Sequence, residues 1–177
     1  MNKSAIIIIL LLFFTLSGFS QYQNLGSTGR TEPKPNPWFV GGMIGGSFSN
    51  NGGSFEVSPL VGYKITDDFH VGSRITYIYS KYFGTSYNDY GGSLFARQRF
   101  LKMLFAHAEY EVLSIEYNNV QNEKFRMTIN SLFLGGGLYQ QMGGRGFATI
   151  AILYNVLETK YSPYSNPVIR IGFGVGL

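Results

Sequence analysis

The chain contains no cysteine and few charged residues. None of its 177 residues is Cys, and Asp, Glu, Lys and Arg together make up 14%. The absence of cysteine excludes disulfide bonds, thiolate metal sites, a thiol nucleophile and a lipid anchor attached to cysteine. The formal net charge is only +4 and no run of five basic residues occurs, so we expect no nucleic-acid partner.

Motifs of catalysis and cofactor binding are missing as well. The glycine-rich stretches at 41–46 and 172–176 are not followed by a helical pattern, so neither predicts a phosphate-binding loop. No spacing of His, Asp or Glu is typical of a metal site. We therefore expect no cofactor, no metal ion and no catalytic residue.

The first twenty residues have the pattern of a secretory signal peptide. Lys3 is followed by an apolar run from Ala5 to Leu16 and by the small residues Gly18 and Ser20. The run is shorter than the roughly 18 residues that a membrane-spanning helix needs, which disfavours the alternative of an uncleaved anchor. We predict a signal peptide at 1–20, and secretion of the remainder.

The next segment, 21–37, contains three prolines and no hydrophobic period, which predicts a flexible periplasmic leader. From residue 38 to residue 177 apolar residues alternate with small or polar ones, in segments separated by turn-like clusters. We count eight predicted strands: 38–49, 54–65, 69–82, 88–101, 103–117, 128–141, 146–158 and 166–177. The abundance of Gly, Tyr and Phe (23, 13 and 15 residues) also favours an all-β protein.

The faces of these strands decide between two kinds of barrel. In 69–79, Val71, Ile75 and Tyr77 share one face, and His70 and Arg74 share the other. A soluble, lipocalin-like carrier or a sandwich turns the apolar face inward, whereas a membrane barrel turns it outward to lipid. Secretion and strands longer than the roughly 9–11 residues needed to cross a bilayer favour the membrane barrel.

Aromatic residues near the strand ends favour it too, because membrane barrels carry aromatic girdles at both interfaces. The predicted girdle residues are Trp38, Phe39, Phe69, Tyr79, Tyr82, Tyr90, Tyr117, Tyr139, Tyr161 and Tyr164. The last strand alternates to its final residue, and lipid leaves no free strand edge unsatisfied. We therefore predict that it closes the barrel against 38–49.

Three stretches carry a family resemblance: SPLVGYKITDDFHVGSRITYIYS at 58–80, FAHAEYE at 105–111 and LYNVLETKYSPYSNPVIRIGF at 153–173. With them the mature chain resembles the small eight-stranded outer-membrane barrels of the OmpA/OmpX type, in the form common in Bacteroidetes and flavobacteria. The resemblance implies an eight-stranded antiparallel up-and-down transmembrane β-barrel in the cell outer membrane. It also implies a C-terminal β-signal read by the barrel assembly machinery, at Ile169, Ile171, Phe173, Val175 and Leu177.

An even strand number puts both ends of the barrel in the periplasm. The links near Asp67, Lys102 and Gly143 are then periplasmic turns, and four outer loops lie around residues 51, 84, 121 and 162. Since side chains nearly fill the lumen of an eight-stranded barrel, its charges must pair. The predicted lumenal charge network comprises Glu56, Lys64, Arg74, Arg97, Arg99, His107, Glu109, Glu111 and Arg170.

These features predict a non-enzymatic outer-membrane barrel with a plugged lumen. It would serve envelope structure or be an accessory subunit of a larger outer-membrane complex, in contact with outer-membrane lipid. A narrow gated pore is the alternative for the lumen. An outer-membrane lipid hydrolase is the alternative for activity, since His107 and Glu109 share a face and Ser93 or Ser131 could complete a triad.

Overall fold

The computed structural model describes residues 36–49, 52–118 and 124–177. The regular structure in these ranges consists of eight strands: β1 (Trp38–Ser49), β2 (Gly52–Lys64), β3 (Phe69–Tyr82), β4 (Thr85–Phe100), β5 (Leu104–Asn118), β6 (Lys124–Met142), β7 (Gly146–Asn155) and β8 (Val168–Gly176). None of the residues in these ranges forms a helix long and apolar enough to cross a membrane. The predicted signal peptide at 1–20 and nearly all of the leader at 21–37 lie outside the described residues.

The strands form one closed barrel in which each strand pairs with its neighbours in the chain. Strand β8 returns to β1 in antiparallel register, from Phe39 opposite Gly176 to Ile44 opposite Ile171. Beyond the last paired residue, the amide of Leu177 donates a hydrogen bond to the carbonyl oxygen of Trp38 at 3.0 Å. The prediction of an all-β, eight-stranded antiparallel up-and-down barrel, closed by its last strand, is confirmed.

The barrel has two distinct ends. Three short links, 65–68, 101–103 and 143–145, lie at one end together with Trp38 and Leu177, and we call this the turn end. The opposite end, which we call the loop end, carries the two-residue link Phe83–Gly84 and the longer link 156–167.

Apolar side chains point outward along the strands. Ile75, Leu94 and Ile169, on β3, β4 and β8, are 67%, 69% and 65% exposed. Their neighbours in sequence point inward and are buried, among them Arg74 and Arg170. The alternative with the apolar faces inward, on which a soluble carrier depends, is therefore wrong for this barrel.

The lumen is not purely polar. Toward the turn end a buried cluster contains Phe39, Phe95, Phe105, Phe133, Tyr139, Phe147, Ala151 and Leu153. Toward the loop end a smaller cluster contains Ile78, Leu113, Ile115 and Ile129. Aromatic rings in the lumen pack directly against the backbone of the wall where the wall residue is glycine. At Gly174, for example, a Cβ would lie only 2.8 Å from Phe147 Cε1, so a larger residue would clash with that ring. The charged lumenal residues lie between these two clusters and around the first.

Three predicted girdle residues are wrong. Phe39 and Tyr139 are buried in the lumen. Along a strand, alternate residues face the lumen and the outer wall, and both residues have the parity of the lumenal set. Tyr164 belongs to the link 156–167 and packs partly buried against both lumenal clusters. Exposed aromatic rings remain near the strand ends at Trp38, Tyr79, Tyr90, Tyr117 and Tyr161.

Some strand ends differ from the prediction. Strand β4 begins at Thr85 instead of 88, because Phe83 and Gly84 adopt positive φ values of 48° and 81° and form a tight two-residue hairpin. Strand β6 begins at Lys124 instead of 128, since its polar first residues continue the ladder with β5. Strand β7 ends at Asn155 and β8 begins at Val168, which leaves a longer link than predicted.

Two adjacent glycines of β1 provide a test of barrel closure. A Cβ at Gly41 would lie 2.9 Å from the Cα of Gly174 and closer still to the carbonyl oxygen of Phe173, whereas the nearest atom to a Cβ at Gly42 is 3.5 Å away. We expect Gly41→Ala to destabilise the barrel by about 1–3 kcal/mol and Gly42→Ala to leave it nearly unchanged. The measurement is the temperature at which the unboiled protein loses its compact migration in SDS. Equal temperatures for the two variants would contradict the register in which β1 pairs with β8.

Candidate functional site

The centre of the lumen holds a group of charged residues that we call the ion-pair cluster: Glu56 of β2, Arg74 of β3, Glu109 and Glu111 of β5, and Arg170 of β8. All five have the inward parity of their strands, so the two-residue period of the β-structure is what brings them together. Arg74, Glu109, Glu111 and Arg170 are almost fully buried. Charges at this depth persist only when they are paired and hydrogen-bonded.

Arg74 connects three carboxylates across the lumen. Its Nη1 donates to Glu56 Oε1 at 3.3 Å. Its Nη2 donates to Glu111 Oε1 at 3.0 Å and to Glu109 Oε1. Its Nε donates to Ser93 Oγ at 3.3 Å. One guanidinium group therefore ties β3 to β2, β4 and β5.

Glu109 contacts more basic side chains than any other described carboxylate in the lumen. In addition to Arg74, Nη1 of Arg170 donates to its Oε2 at 2.6 Å, and Nε2 of His107 lies 3.1 Å from the same oxygen. Because an ionised carboxylate accepts hydrogen bonds, we assign a proton to Nε2 of His107. Removal of this single carboxylate would leave Arg170 with Glu111 as its nearest described carboxylate, at 3.9 Å from Nη2.

Arg170 is held between aromatic rings. Its guanidinium carbon lies 4.3 Å from the centroid of Phe133 and 5.5 Å from that of Tyr164. The two rings contact each other edge to face at 5.4 Å. Tyr164 thereby covers the cluster from the loop end, a role that its position in a polar link did not predict.

Hydroxyl groups complete the cluster. Ser58 Oγ donates to Glu56 Oε1 at 2.7 Å, and Thr76 Oγ1 donates to Glu111 Oε1 at 3.0 Å. The predicted network consists of charged lumenal residues and does not include Ser58 or Thr76. Their inward parity, two positions from Glu56 and from Arg74, is the signal in the sequence that indicates them.

The predicted network contains three cations that the structure does not place in this cluster. Lys64, Arg97 and Arg99 point inward but lie toward the turn end. Arg99 lies over the ring of Tyr139 at 4.4 Å and donates to the carbonyl oxygens of Asp67 and Lys102, both at 3.3 Å. The lumenal charges are thus divided between a paired centre and a cationic turn end.

The groups proposed for a hydrolytic triad have other partners. Ser93 Oγ accepts from Arg74, and Ser131 Oγ accepts from Asn155 Nδ2 at 3.1 Å. His107 faces Glu109 through Nε2, and its buried Nδ1 has no hydrogen-bond partner among the described residues. A triad needs the histidine between serine and acid. Among the described contacts, only the His107–Glu109 half of that arrangement occurs.

A cavity of about 660 Å³ lies on the loop-end side of the cluster. Its lining includes Glu56, Asp89, Tyr117, Tyr164 and Arg170. Asp89 and Glu116 are tied to each other's strands, since Asp89 Oδ1 accepts from the Glu116 amide at 2.7 Å and Glu116 Oε2 accepts from the Asn88 amide at 3.0 Å. Within the described ranges no three His, Asp or Glu side chains converge to hold a metal ion.

The central position of Glu109 generates a stability prediction. We expect Glu109→Gln to lower the free energy of unfolding by about 3–5 kcal/mol, because it removes the charge that compensates two buried guanidinium groups. Asp68→Asn is the matched control, since Asp68 is half-exposed and lies 4.0 Å from Arg99, so its loss should cost within about 1 kcal/mol. Urea unfolding followed by circular dichroism measures both. A loss for Glu109→Gln no larger than the control's would contradict its central role.

Comparisons with known proteins add an architectural likeness. No protein-family model matches the chain, and no curated protein matches it. Among solved structures, the chain is similar to the N-terminal beta-barrel domain of Pseudomonas aeruginosa OprF, seen in a crystal structure. The identity is 14% and the TM-score 0.47, over 81% of this chain and 98% of that one.

Proposed function

We propose that the protein is a small, non-enzymatic barrel of the cell outer membrane whose lumen is plugged by its own side chains. In this proposal it serves envelope structure or acts as an accessory subunit of a larger outer-membrane complex. The observation that carries the proposal is the combination of an apolar outer wall with a lumen crossed by buried ion pairs.

The outer wall favours a lipid environment. Ile75, Leu94, Ile150, Ile152 and Ile169 are each half or more exposed, on four strands of the barrel. Leaving such a side chain in water forgoes about 1.5–3 kcal/mol of burial free energy, and continuous apolar surfaces of this kind mark membrane or protein contacts. The shortest strands, β8 with 9 residues and β7 with 10, match the roughly 9–11 residues that cross a bilayer at a tilt.

The ion-pair cluster supports the plug. Arg74 and Arg170 reach carboxylates on other strands, so the lumen is bridged from β3 and from β8 to β5. Separating one such buried pair costs about 3–5 kcal/mol, which keeps an open conformation rare. Phe133 and Tyr164, which lie beside Arg170, fill lumenal space as well.

The ends of the barrel suggest its orientation and partners. With the turn end in the periplasm, the loop end faces outward, and its described links are short or folded back through Tyr164. Neither described link of this end, Phe83–Gly84 or 156–167, is as long as a large recognition loop, which favours a structural or accessory role. The alternating outward residues from Ile169 to Leu177 would be the β-signal that the barrel assembly machinery binds.

A pair of adjacent substitutions in β8 tests the membrane proposal. Ile171 points outward and Arg170 points into the lumen. We expect Ile171→Arg to impair insertion, because a cation in hydrocarbon costs roughly 2–4 kcal/mol near the midplane. Arg170→Leu should insert and raise the conductance measured in planar bilayers, because the plug loses one cation. Normal insertion of Ile171→Arg together with failed assembly of Arg170→Leu would overturn the proposal.

The His107–Glu109 contact keeps an envelope lipid hydrolase as a second candidate. The pair is buried at the centre of the lumen, where an acyl ester would have to enter past the aromatic rings. We expect wild-type protein and His107→Ala, reconstituted in vesicles of lipopolysaccharide and phospholipid, to give the same product background by mass spectrometry. Release of fatty acid by the wild type that is lost in His107→Ala would establish the hydrolase instead.

A further inference from the structure

Basic side chains form a row around the inner wall near the turn end. Lys64 of β2 is the register partner of His70 of β3, and His70 is in turn the partner of Arg97 of β4. Arg97 is the partner of His107 of β5. Directly paired residues have Cα atoms about 4.5–5.5 Å apart. Lys64, His70, Arg97 and His107 are therefore neighbours on four successive strands. Arg99 lies two positions further along β4 on the same face. We call Lys64, His70, Arg97 and Arg99 the basic row.

Arg97 is the least compensated member of the basic row. It is 3% exposed, and its buried Nε has no hydrogen-bond partner among the described residues. Its closest described contacts are with rings, at 4.5 Å from the centroid of Phe105 and 5.8 Å from that of Phe95, and the charge of Glu109 acts on it from beyond salt-bridge distance. Cation–π contacts offset only a minor part of the free energy that desolvation of a buried ion costs. The rings alone therefore do not compensate this guanidinium.

The lumenal carboxylates are already used elsewhere. Glu109 accepts from Arg74, Arg170 and His107, and Glu56 and Glu111 accept from Arg74. At the turn end, the link 65–68 contributes two acidic residues. Of these, Asp68 is half-exposed and lies 4.0 Å from Arg99. Like charges directly opposite each other on neighbouring strands destabilise a sheet. The row consequently carries a positive excess even when His70 is counted as neutral.

We infer that the basic row binds a small anion in the turn-end half of the lumen, with Arg97 and Lys64 as its main ligands. The anion supplies a negative charge within salt-bridge distance of Arg97, which no described carboxylate does. Guanidinium N–H groups and an ammonium group suit either the oxygens of a phosphate or carboxylate or a halide. This site is separate from the ion-pair cluster, so it goes beyond the proposed plug.

Packing limits the size of the anion. A Cβ at Gly62 would lie 2.6 Å from Phe39 Cε2, and one at Gly72 would lie 2.8 Å from Phe95 Cε1, so these rings press against the wall beside the row. The row meets solvent toward the turn end, where Lys64 and Arg99 are partly exposed. A small inorganic anion therefore suits the site better than a metabolite with a bulky carbon skeleton.

Stability measured against anion concentration tests the inference. The folded, detergent-solubilised protein is heated in sodium gluconate that is replaced stepwise by sodium chloride or by sodium phosphate at constant ionic strength, which holds general screening fixed. An anion that binds only the folded state raises the melting temperature with a saturable, logarithmic dependence on its concentration. We expect such saturation for at least one of the two salts. Saturation with phosphate alone identifies an oxyanion, and saturation with chloride identifies a halide.

Three variants make the test specific. Arg97→Gln should abolish the saturable response. Lys64→Met, at a partly exposed position that disturbs folding less, should raise the half-saturating concentration about tenfold, as expected for loss of one charge-assisted contact. Arg126→Gln is the control at the loop end, where Arg126 already donates to the carbonyl oxygens of Asn88 and Ser114 at 2.9 and 3.3 Å. It should respond like the wild type.

Two results would overturn the inference. One is a linear, unsaturable response to both salts in the wild type, which is the behaviour of salts that act by general exclusion from the protein surface. The other is the same saturable response in Lys64→Met as in the wild type. Either result leaves the plug untouched, because the plug is judged by the conductance of Arg170→Leu.

Discussion

Closure of the hydrogen-bonded ladder between β1 and β8 is the constraint on which the rest of this structure depends. An open sheet of eight strands would leave two edges with unpaired amides and carbonyls, and a barrel has none. Once Ile44 is opposite Ile171 and Phe39 is opposite Gly176, every strand has a fixed register with respect to the whole wall. Inside and outside then follow from parity alone, because a slip by one residue would exchange the two faces. The buried positions of Arg74 and Glu109 are consequences of that closure.

A closed eight-stranded wall encloses a space that side chains must fill, and this chain fills it in two ways. Aromatic rings such as Phe39 and Phe147 occupy the turn-end half, and wall glycines allow them close approach. Charged groups occupy the centre, where Arg74 satisfies several carboxylates at once. The aromatic and the charged parts of the lumen are in contact at Arg170 and Arg97, each of which lies over a phenylalanine ring. The proposed plug and the proposed anion site are therefore neighbouring parts of one packed interior.

Much of this arrangement can be predicted because a two-residue period is a strong signal. Parity in the sequence assigns Arg74, Glu109 and Glu111 to the lumenal face, and the closing role of the last strand follows from its alternation. Parity does not tell how far along the axis a residue lies, so the sequence does not show that Arg74 and Arg170 form salt bridges with the central carboxylates whereas Arg97 forms none. Phe39 and Tyr139 show the opposite error: their position near a strand end suggests a girdle, whereas their parity puts them in the lumen. Tyr164 lies in an irregular link, where no period exists to indicate that it turns inward.

The single tryptophan of the chain lies at the closing seam. Trp38 is about half-exposed on the outer wall, its ring meets that of Tyr63 edge to face at 5.0 Å, and its carbonyl accepts the last amide of the chain. Indole emission depends on the polarity around the ring, and in a bilayer this ring would lie among the headgroups of the periplasmic leaflet. When tryptophan is excited selectively over the 13 tyrosines, the emission therefore comes from one place, where the first and last strands join. A spectroscopist following its assembly into vesicles would have a native reporter of ring closure, without adding a dye or changing a residue.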